Sequence, residues 1–534
     1  MNQAEQLKRR LGRLKSIRLP MEIIWKDCFN HSHPLRGNGL NGDSYDPSTA
    51  KNKQARLLSS IGTDSARVLA SSVMGGMTPA NSQWFELDMG NEAADEKRWL
   101  SDSARLLWEN IHMGNFDSVG YECQLDLVDA GWFVMHIDEA EGGGFNFEQW
   151  PIAECYVASS RPGAPVDTVF REFKYTIEQA VNAYGLKNMS QEVQEAYQAQ
   201  KYDDIITMCL AIYPRRMFME NARLPKNMPI AHEVFEVKTC KMVLESGYHE
   251  LPVIVPRWMT LLGTAYGIGP MSEALPDLKT LNEIKGMELA SLDLSLSGMW
   301  IATDDGVLNP KTVKVGPRKV IIANSTDSIK PLTSGVDFNV GFMSQERLEA
   351  SIRKLLMADQ LQPQDGPDMT ATEVHVRVGM IRQLMGPLYG RLQAEYLTAM
   401  LTRCFGIAYR AGVFGPAPDS IKGRNFSVRY ISPLARAQKM EDVSAIQQVY
   451  GLAGQIAQAR GGDVSVFDNL DDDQALTVAA DALGAPTKIM RKPEAVGDIR
   501  QRSQEAKQQA AEQEQAAAMQ QEVGTQAAKQ LMVA

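Results

Sequence analysis

Residues 263–298 read GTAYGIGPMSEALPDLKTLNEIKGMELASLDLSLSG, residues 299–339 read MWIATDDGVLNPKTVKVGPRKVIIANSTDSIKPLTSGVDFN, and residues 340–362 read VGFMSQERLEASIRKLLMADQLQ. The first piece is a glycine- and proline-punctuated lead into a long helix. Pro270 suits a first helical turn, where its missing N–H costs nothing. Pro276 removes a hydrogen bond farther in and is expected to restart the helix. Leu275, Leu278, Leu281 and Ile284 then form one apolar stripe, and Pro276–Ser297 would span about 30 Å. The middle piece reads as short strands and turns. The third returns as a helix with Leu348, Ile352, Leu355 and Leu356 on one face. Helix, small β-rich tip, helix: the pattern predicts an insertion that projects from the domain carrying it.

Upstream, residues 1–30 read as a helix broken at Pro20, followed by a Gly/Asn/Pro-rich loop over 31–47. A helix is expected over 50–74, capped by Ser48 or Thr49 and closed by Gly75-Gly76. A short strand at 84–87 and helices at 92–113 and 117–130 follow. Residues 132–138 and 145–150 flank Gly142-Gly143-Gly144 as a hairpin. A strand at 168–175 leads into Thr176-Ile-Glu-Gln179, a capping box opening a short helix that Gly185 closes. Further strands are expected near 205–215, 232–244 and 251–258. Residues 1–260 thus read as an α+β body. Downstream come the loop PQDGPDM, a very long helix over 370–412 with a possible interruption at Gly386-Pro387, a strand at 425–432, and helices at 438–460 and 472–483. Beyond Arg500 the chain is rich in Gln, Ala and Glu, which fits a solvated helix or a frayed tail.

The totals narrow the function classes. With 534 residues the chain exceeds what one core organises, and its 44% hydrophobic and 22% charged content is that of folded protein. A formal net charge of −10 argues against a broad basic surface gripping nucleic acid. The six scattered cysteines form no CxxC and read as buried free thiols. The basic N-terminal stretch lacks the apolar core of a secretory signal, and no run approaches a membrane span.

Motifs for chemistry are missing. There is no P-loop, HExxH or G-x-S-x-G. His31 and His33 lack further ligands at metal spacing. Asp471-Asp472-Asp473 fits a helix N-terminus, Asp304-Asp305-Gly306 a turn, and Gly142–Gly144 a turn in place of a phosphate loop. No catalytic residue, metal or cofactor is assigned. Lys311, Lys314, Arg318 and Lys319 make the tip locally basic, which fits either a solvated turn or a docking surface.

Five stretches resemble the portal protein, or head-to-tail connector, of short-tailed, podovirus-type bacteriophages: SSVMGGMTPANSQWFEL (Ser71–Leu87), YGIGPMSEALPDLKTLNEI (Tyr266–Ile284), MTATEV (Met369–Val374), YISPLARAQK (Tyr430–Lys439), and residues 468–494 with LGAPTKIMRKPEAV. The resemblance covers about residues 50–495 and implies a predominantly helical α+β portal fold assembled as a ring of about twelve subunits. It implies a wing over 1–269, stem helices at 270–297 and 343–361, and a clip at 298–342. A channel loop would occupy 362–369, and a long wing helix with its strand 370–439. A helical crown would take 440–500 and the Gln/Ala-rich tail 501–534.

The function so implied is structural, without catalysis: a conduit at one capsid vertex of the virion, assembled in the host cytoplasm, for double-stranded DNA passing without sequence specificity. The implied partners are further copies of the chain, the terminase large subunit as packaging motor, a tail adaptor protein, and the major capsid and scaffolding proteins, with no membrane. Channel-facing candidates are Lys279, Lys285, Arg353, Lys354, Gln362, Gln364 and Asp365. Lys279, Lys285, Arg353 or Lys354 would supply a ring of positive charge, or else pair between adjacent stem helices. The loop around Gln364 and Asp365 would line the channel, or else be an ordinary connector. Lys311, Lys314, Arg318 and Lys319 are the motor and tail docking candidates. Two other readings remain at this point: a cytosolic α+β enzyme with an unfamiliar site, and another ring component of a phage tail.

Overall fold

The structure, a computed structural model, describes residues 2–40, 47–89, 94–219, 224–297, 299–302, 329–332, 338–361, 386, 388–418, 420, 427–430, 433–461, 464–483, 496–497 and 499–503. The chain divides into two units, Met1–Tyr430 and Ile431–Ala534. The fold is mixed and mostly helical, as the sequence predicts.

The first unit opens with α1 (Gln3–His31), which runs unbroken through Pro20. The expected break does not occur because α1 is buried on both sides of the proline, through Leu11, Leu14, Arg18, Met21 and Trp25. Arg18 fixes that middle turn. It pairs with Glu22 at 2.6 Å, donates to the carbonyls of Ile152 (3.0 Å) and Ala153 (2.7 Å), and lies over the Tyr156 ring. A buried guanidinium with this many acceptors is stable where an unpaired one is not.

The expected helix over 50–74 is two helices, α2 (Pro47–Ala55) and α3 (Ile61–Met77). Their connection is clamped from outside: Asn282 accepts from the Leu58 amide at 2.8 Å and donates to the Arg56 carbonyl at 3.2 Å. Next come β1 (Phe85–Asp88), α4 (Ala94–Met113), α5 (Phe116–Asp129), and the hairpin β2 (Met135–Glu139) and β3 (Phe145–Gln149). Gly143 and Gly144, at φ +88° and +89°, make the hairpin turn.

A five-stranded antiparallel sheet follows, β4 (Cys155–Ala158), β5 (Thr168–Thr176), β6 (Ile205–Pro214), β7 (Ile230–Glu236) and β8 (Met242–Tyr248), in sequence order. The single strand expected over 232–244 is the β7–β8 turn region. The chain reverses where Cys240 takes φ +54° and Glu236 accepts from the Thr239 hydroxyl at 2.6 Å. Each face of the sheet is covered, as period-2 alternation demands. Phe170, Cys209, Ala211 and Phe235 pack under Leu7, Leu11 and Leu14 of α1. On the opposite face Phe173, Met208 and Val234 meet Ile177 of α6 (Ile177–Tyr184) and Val193 of α7 (Gln191–Gln198). The capping box at Thr176 and Gln179 is present, and Gly185 ends α6 at φ +83°.

This sheet carries a pH-sensitive group. His232 on β7 stacks on Tyr248, and burial, with His136 nearby, pushes its pKa down from 6.5 to about 4. The unfolded chain therefore binds a proton that the folded chain refuses between those values. Stability from this group is full above pH 6.5 and is lost as pH falls towards 4, a loss on the order of 3 kcal/mol. His232→Gln is expected to flatten the melting temperature against pH across that interval. An unchanged slope would show that other groups set the acid limit.

The remaining described elements are β9 (Val253–Ile254), the pair β10 (Met259–Thr260) and β11 (Gly267–Ile268), α8 (Pro270–Ser297), the antiparallel pair β12 (Met299–Ala302) and β13 (Ile329–Leu332), α9 (Phe338–Leu355), α10 (Ala358–Leu361), α11 (Thr398–Arg410), and β14 (Ser427–Tyr430) paired with β1. A π-helical turn, Gln393–Leu397, leads into α11. In the second unit α12 (Pro433–Ala459) runs across residue 440, and α13 (Asp472–Leu483) follows a 3₁₀ turn at Val464–Asn469. Among the described residues no helix is long and apolar enough to cross a membrane. All six cysteines are free, and Cys28, Cys123, Cys155, Cys209 and Cys404 are buried as expected, whereas Cys240 in the β7–β8 turn is half-buried.

Candidate functional site

The candidate site is the helix–tip–helix insertion, and its start is a crossing of two backbones. Tyr266 is buried against Trp25 and Trp132, with ring centroids 5.1 and 5.2 Å away, and its hydroxyl accepts from the Val157 amide at 3.3 Å. Immediately after it, Gly267 and Gly269 pass so close to residues 127–131 that no side chain fits. A Cβ on Gly269 would stand 2.8 Å from the Gly131 nitrogen and 3.0 Å from the Leu127 oxygen, with the Val128 carbonyl closer still. The YGIGP motif is thus a locating device: an aromatic anchor, two glycines at the crossing, and a proline opening the helix.

α8 then runs continuously through Pro276, contrary to the expected restart. Its stripe explains why: Leu278 and Leu281 sit in the main core with Met271 and Ala274, so tertiary burial holds the turn that proline weakens. Ile352 and Leu356 from the returning arm join the same core, whereas Leu355 faces outward. The returning arm is not one helix over 343–361. It begins at Phe338 and breaks at Met357, which takes φ +57° between α9 and α10. The body-proximal halves of α8 and α9 are therefore core elements. Farther along α8, Met287, Leu289 and Leu292 are exposed.

The two arms are cross-tied. Ser351 donates to Asp277 at 2.7 Å, and Lys285 pairs with Glu349 at 3.2 Å. Lys279 reaches the body and pairs with Asp27 at 2.6 Å. Arg353 and Lys354 near the end of α9 are exposed, with no ion-pair partner among the described residues. Gln362, Gln364, Asp365, Lys311, Lys314, Arg318 and Lys319 lie outside the described residues, as do Asp304 and Asp305.

The other candidates are structural. His31 Nδ1 bonds the Asp27 carbonyl at 2.8 Å and His33 Nδ1 bonds Asp129 at 2.7 Å, so the two imidazoles serve different neighbours. Among the described residues no cluster of three or more metal-ligating side chains forms. Asp471 accepts from the Asp473 and Gln474 amides at 3.1 and 3.0 Å, capping α13, and Asp473 pairs with Arg500.

Two long-range ion-pair networks, one buried and one partly exposed, have no pairing signature in the sequence. Arg257 is 3% exposed and grips Glu395 through Nε at 3.0 Å and a terminal nitrogen at 2.6 Å. Glu395 stands in the π-helical turn, so the wider turn aims its carboxylate at the body. Glu250 accepts from Arg403 at 3.3 Å and Arg410 at 2.8 Å. No local pattern joins residues this far apart. The only signal was an arginine between the apolar strand residues and Trp258.

The family model of bacteriophage head to tail connecting protein matches residues 4–490, and the chain belongs to that family. It is 27% identical to the probable portal protein of Bordetella phage BPP-1, over 95% of this chain and 94% of that one. It is 25% identical to the portal protein of Salmonella phage epsilon15, over 94% and 91% of the two chains. Identity to the portal protein of Escherichia phage T7 is 22%, over 72% and 70%. The resemblance drawn from five short stretches is borne out along the chain.

Proposed function

We propose that copies of this chain close into a ring, about twelve in number, at one capsid vertex. The ring is a structural conduit for double-stranded DNA during packaging and ejection, with no catalytic step of its own. The observation that carries this reading is the family match over 4–490, together with near full-length relatives named portal proteins. In it, residues 1–269 with 370–439 form the wing, α8 and residues 343–361 the stem, 298–342 the clip, 362–369 the channel loop and 440–500 the crown. The clip, with Lys311, Lys314, Arg318 and Lys319, docks the terminase motor and later the tail adaptor. The capsid and scaffolding proteins meet the outer surface.

Electron microscopy and light scattering of the purified chain test the assembly. Closed rings with a central hole are expected. A monomer or dimer under every condition would sink the proposal.

The ion pairs sharpen the channel reading. Lys279 and Lys285 are neutralised within their own chain by Asp27 and Glu349. Among the described residues Arg353 and Lys354 have no ion-pair partner, so we assign the ring of positive charge to them. DNA sliding past should meet few and weak phosphate contacts, and two exposed cations per copy fit that demand. Arg353→Glu with Lys354→Glu is expected to change packaging or retention of DNA while stability stays within about 0.5 kcal/mol. Lys279→Glu and Lys285→Glu should instead lose up to about 1 kcal/mol. Normal packaging and retention in the Arg353/Lys354 variant would refute the assignment.

A further inference from the structure

The outer face of the β2–β3 hairpin meets the edge of the five-stranded sheet at a junction crowded with titratable groups. The hairpin brings His136, Asp138 and Glu148, with Trp150 just past its end. The sheet brings Arg171 of β5, His232 of β7 and Tyr248 of β8, and α11 brings Arg403. His136 stacks on Trp150, the ring centroids 4.8 Å apart and the planes at 17°. Arg171 lies 4.9 Å over the same Trp150 ring. His232 stacks on Tyr248 at 5.2 Å and 29°. Few bonds hold the junction shut. The Tyr248 hydroxyl donates to Asp138 at 3.4 Å. Arg403 spans the two sides: it lies 4.9 Å over the Tyr248 ring, donates to the Ile137 carbonyl at 3.3 Å, and pairs with Asp138 and Glu250.

Two imidazoles are not what packing alone would select here. His136 Nδ1 is buried with no hydrogen-bond partner, and Glu148 at 3.8 Å stands too far to supply one. A phenylalanine would stack on Trp150 as well and bury no polar nitrogen. What it cannot do is take a proton. Burial lowers the pKa of both rings. At His136, Asp138 and Glu148 attract a proton, Arg403 and Arg171 repel it, and burial prevails. At His232 burial acts with the repulsion of His136 and against the attraction of Asp138. At the paired positions β6 and β9 present Ile212 and Val253, which carry no charge.

We propose that His136 and His232 form an acid-sensitive clasp: with both imidazoles neutral the hairpin stays on the sheet edge, and protonating them parts it from His232 and Tyr248 while the main core stays folded. In the parted form water reaches both rings and their ordinary affinity for protons returns, so each proton taken up favours parting. In the closed form two new cations would lie among Arg171 and Arg403. The clasp lies within one chain and does not depend on the ring reading.

Hydroxyl-radical footprinting of the full chain at pH 7.5 and pH 5 tests it, with Tyr248 as reporter and exposed Tyr202 as the reference. A ring that titrates at 6.5 when parted and about 4 when clasped raises the parted population about thirtyfold between those conditions, from His232 alone. Oxidation of Tyr248 should rise about threefold or more at pH 5 and return at pH 7.5, while the buried Tyr266 and Tyr396 stay protected. His136→Phe with His232→Phe keeps both stacks and should abolish the rise. No rise in the unaltered chain, an equal rise in the double variant, or a rise shared by Tyr266 and Tyr396 overturns the proposal. If Tyr396 of the double variant is oxidised at pH 7.5, that variant has misfolded, and histidine C2 hydrogen exchange on the unaltered chain decides. Both rings protonating below pH 6.5, in step with the Tyr248 rise, supports the clasp. Either ring protonating at or above 6.5, or out of step with Tyr248, overturns it.

Discussion

Alanine at Gly267 or Gly269 is expected to leave almost no soluble folded chain. Each glycine crosses the 127–131 segment at a distance where a Cβ would overlap backbone, not the movable end of a side chain. A Cβ on Gly267 would drive into the Gly131 carbonyl, and Gly131 itself sits at φ +85°, which penalises any replacement there. Relief requires moving α8 off the body, and with it Met271, Ala274, Leu278 and Leu281 out of the main core. The cost is on the order of 5 kcal/mol, at the extreme of single substitutions. Gly142→Ala is the control: nothing lies within 4 Å of its Cβ position, and the change should be silent. Soluble yield and circular dichroism of the three variants check this. A Gly269→Ala chain as soluble and as stable as Gly142→Ala would mean the crossing is looser than described.

The second large effect is expected at Arg257. Arg257→Met leaves the Glu395 carboxylate buried, since Glu395 is 9% exposed by its side chain and Arg257 supplies two hydrogen bonds to it. Breaking such a pair from one side costs about 3–5 kcal/mol, because the survivor is an uncompensated charge. The lowest melting transition should fall by roughly 5 °C or more, read at one fixed protein concentration because assembly also shifts it. Arg257→Met combined with Glu395→Leu should recover most of the loss, since neither charge then remains buried. Failure of the double variant to recover would place the energy in other contacts of Arg257, such as its bond to the Ala164 carbonyl.

How much of this was legible beforehand depended on the range of the interaction. The capping box at Thr176, the Gly142–Gly144 turn and the strands β5 and β6 are local, and sequence pattern located them. Helix breaks depart from the local pattern in both directions. Pro20 and Pro276 do not interrupt their helices because buried neighbours on both sides outweigh one missing hydrogen bond. The helix over 50–74 does break, because Asn282 claims the backbone of residues 56–58. Family membership was readable from five dispersed stretches. The pairing state of Lys279, Lys285, Arg353 and Lys354 was not.

By itself the sequence determined the mixed, mostly helical class, the buried cysteines, and the kinship with head-to-tail connectors. Those rest on composition, on periodicity and on motifs a few residues long. Only the tertiary structure decided that α8 is pinned by a glycine crossing, that its lysines are already neutralised, and that Glu395 in a π-helical turn answers Arg257. Each joins residues far apart in the chain, and no neighbourhood pattern encodes which distant partner a folded chain will bring within 3 Å.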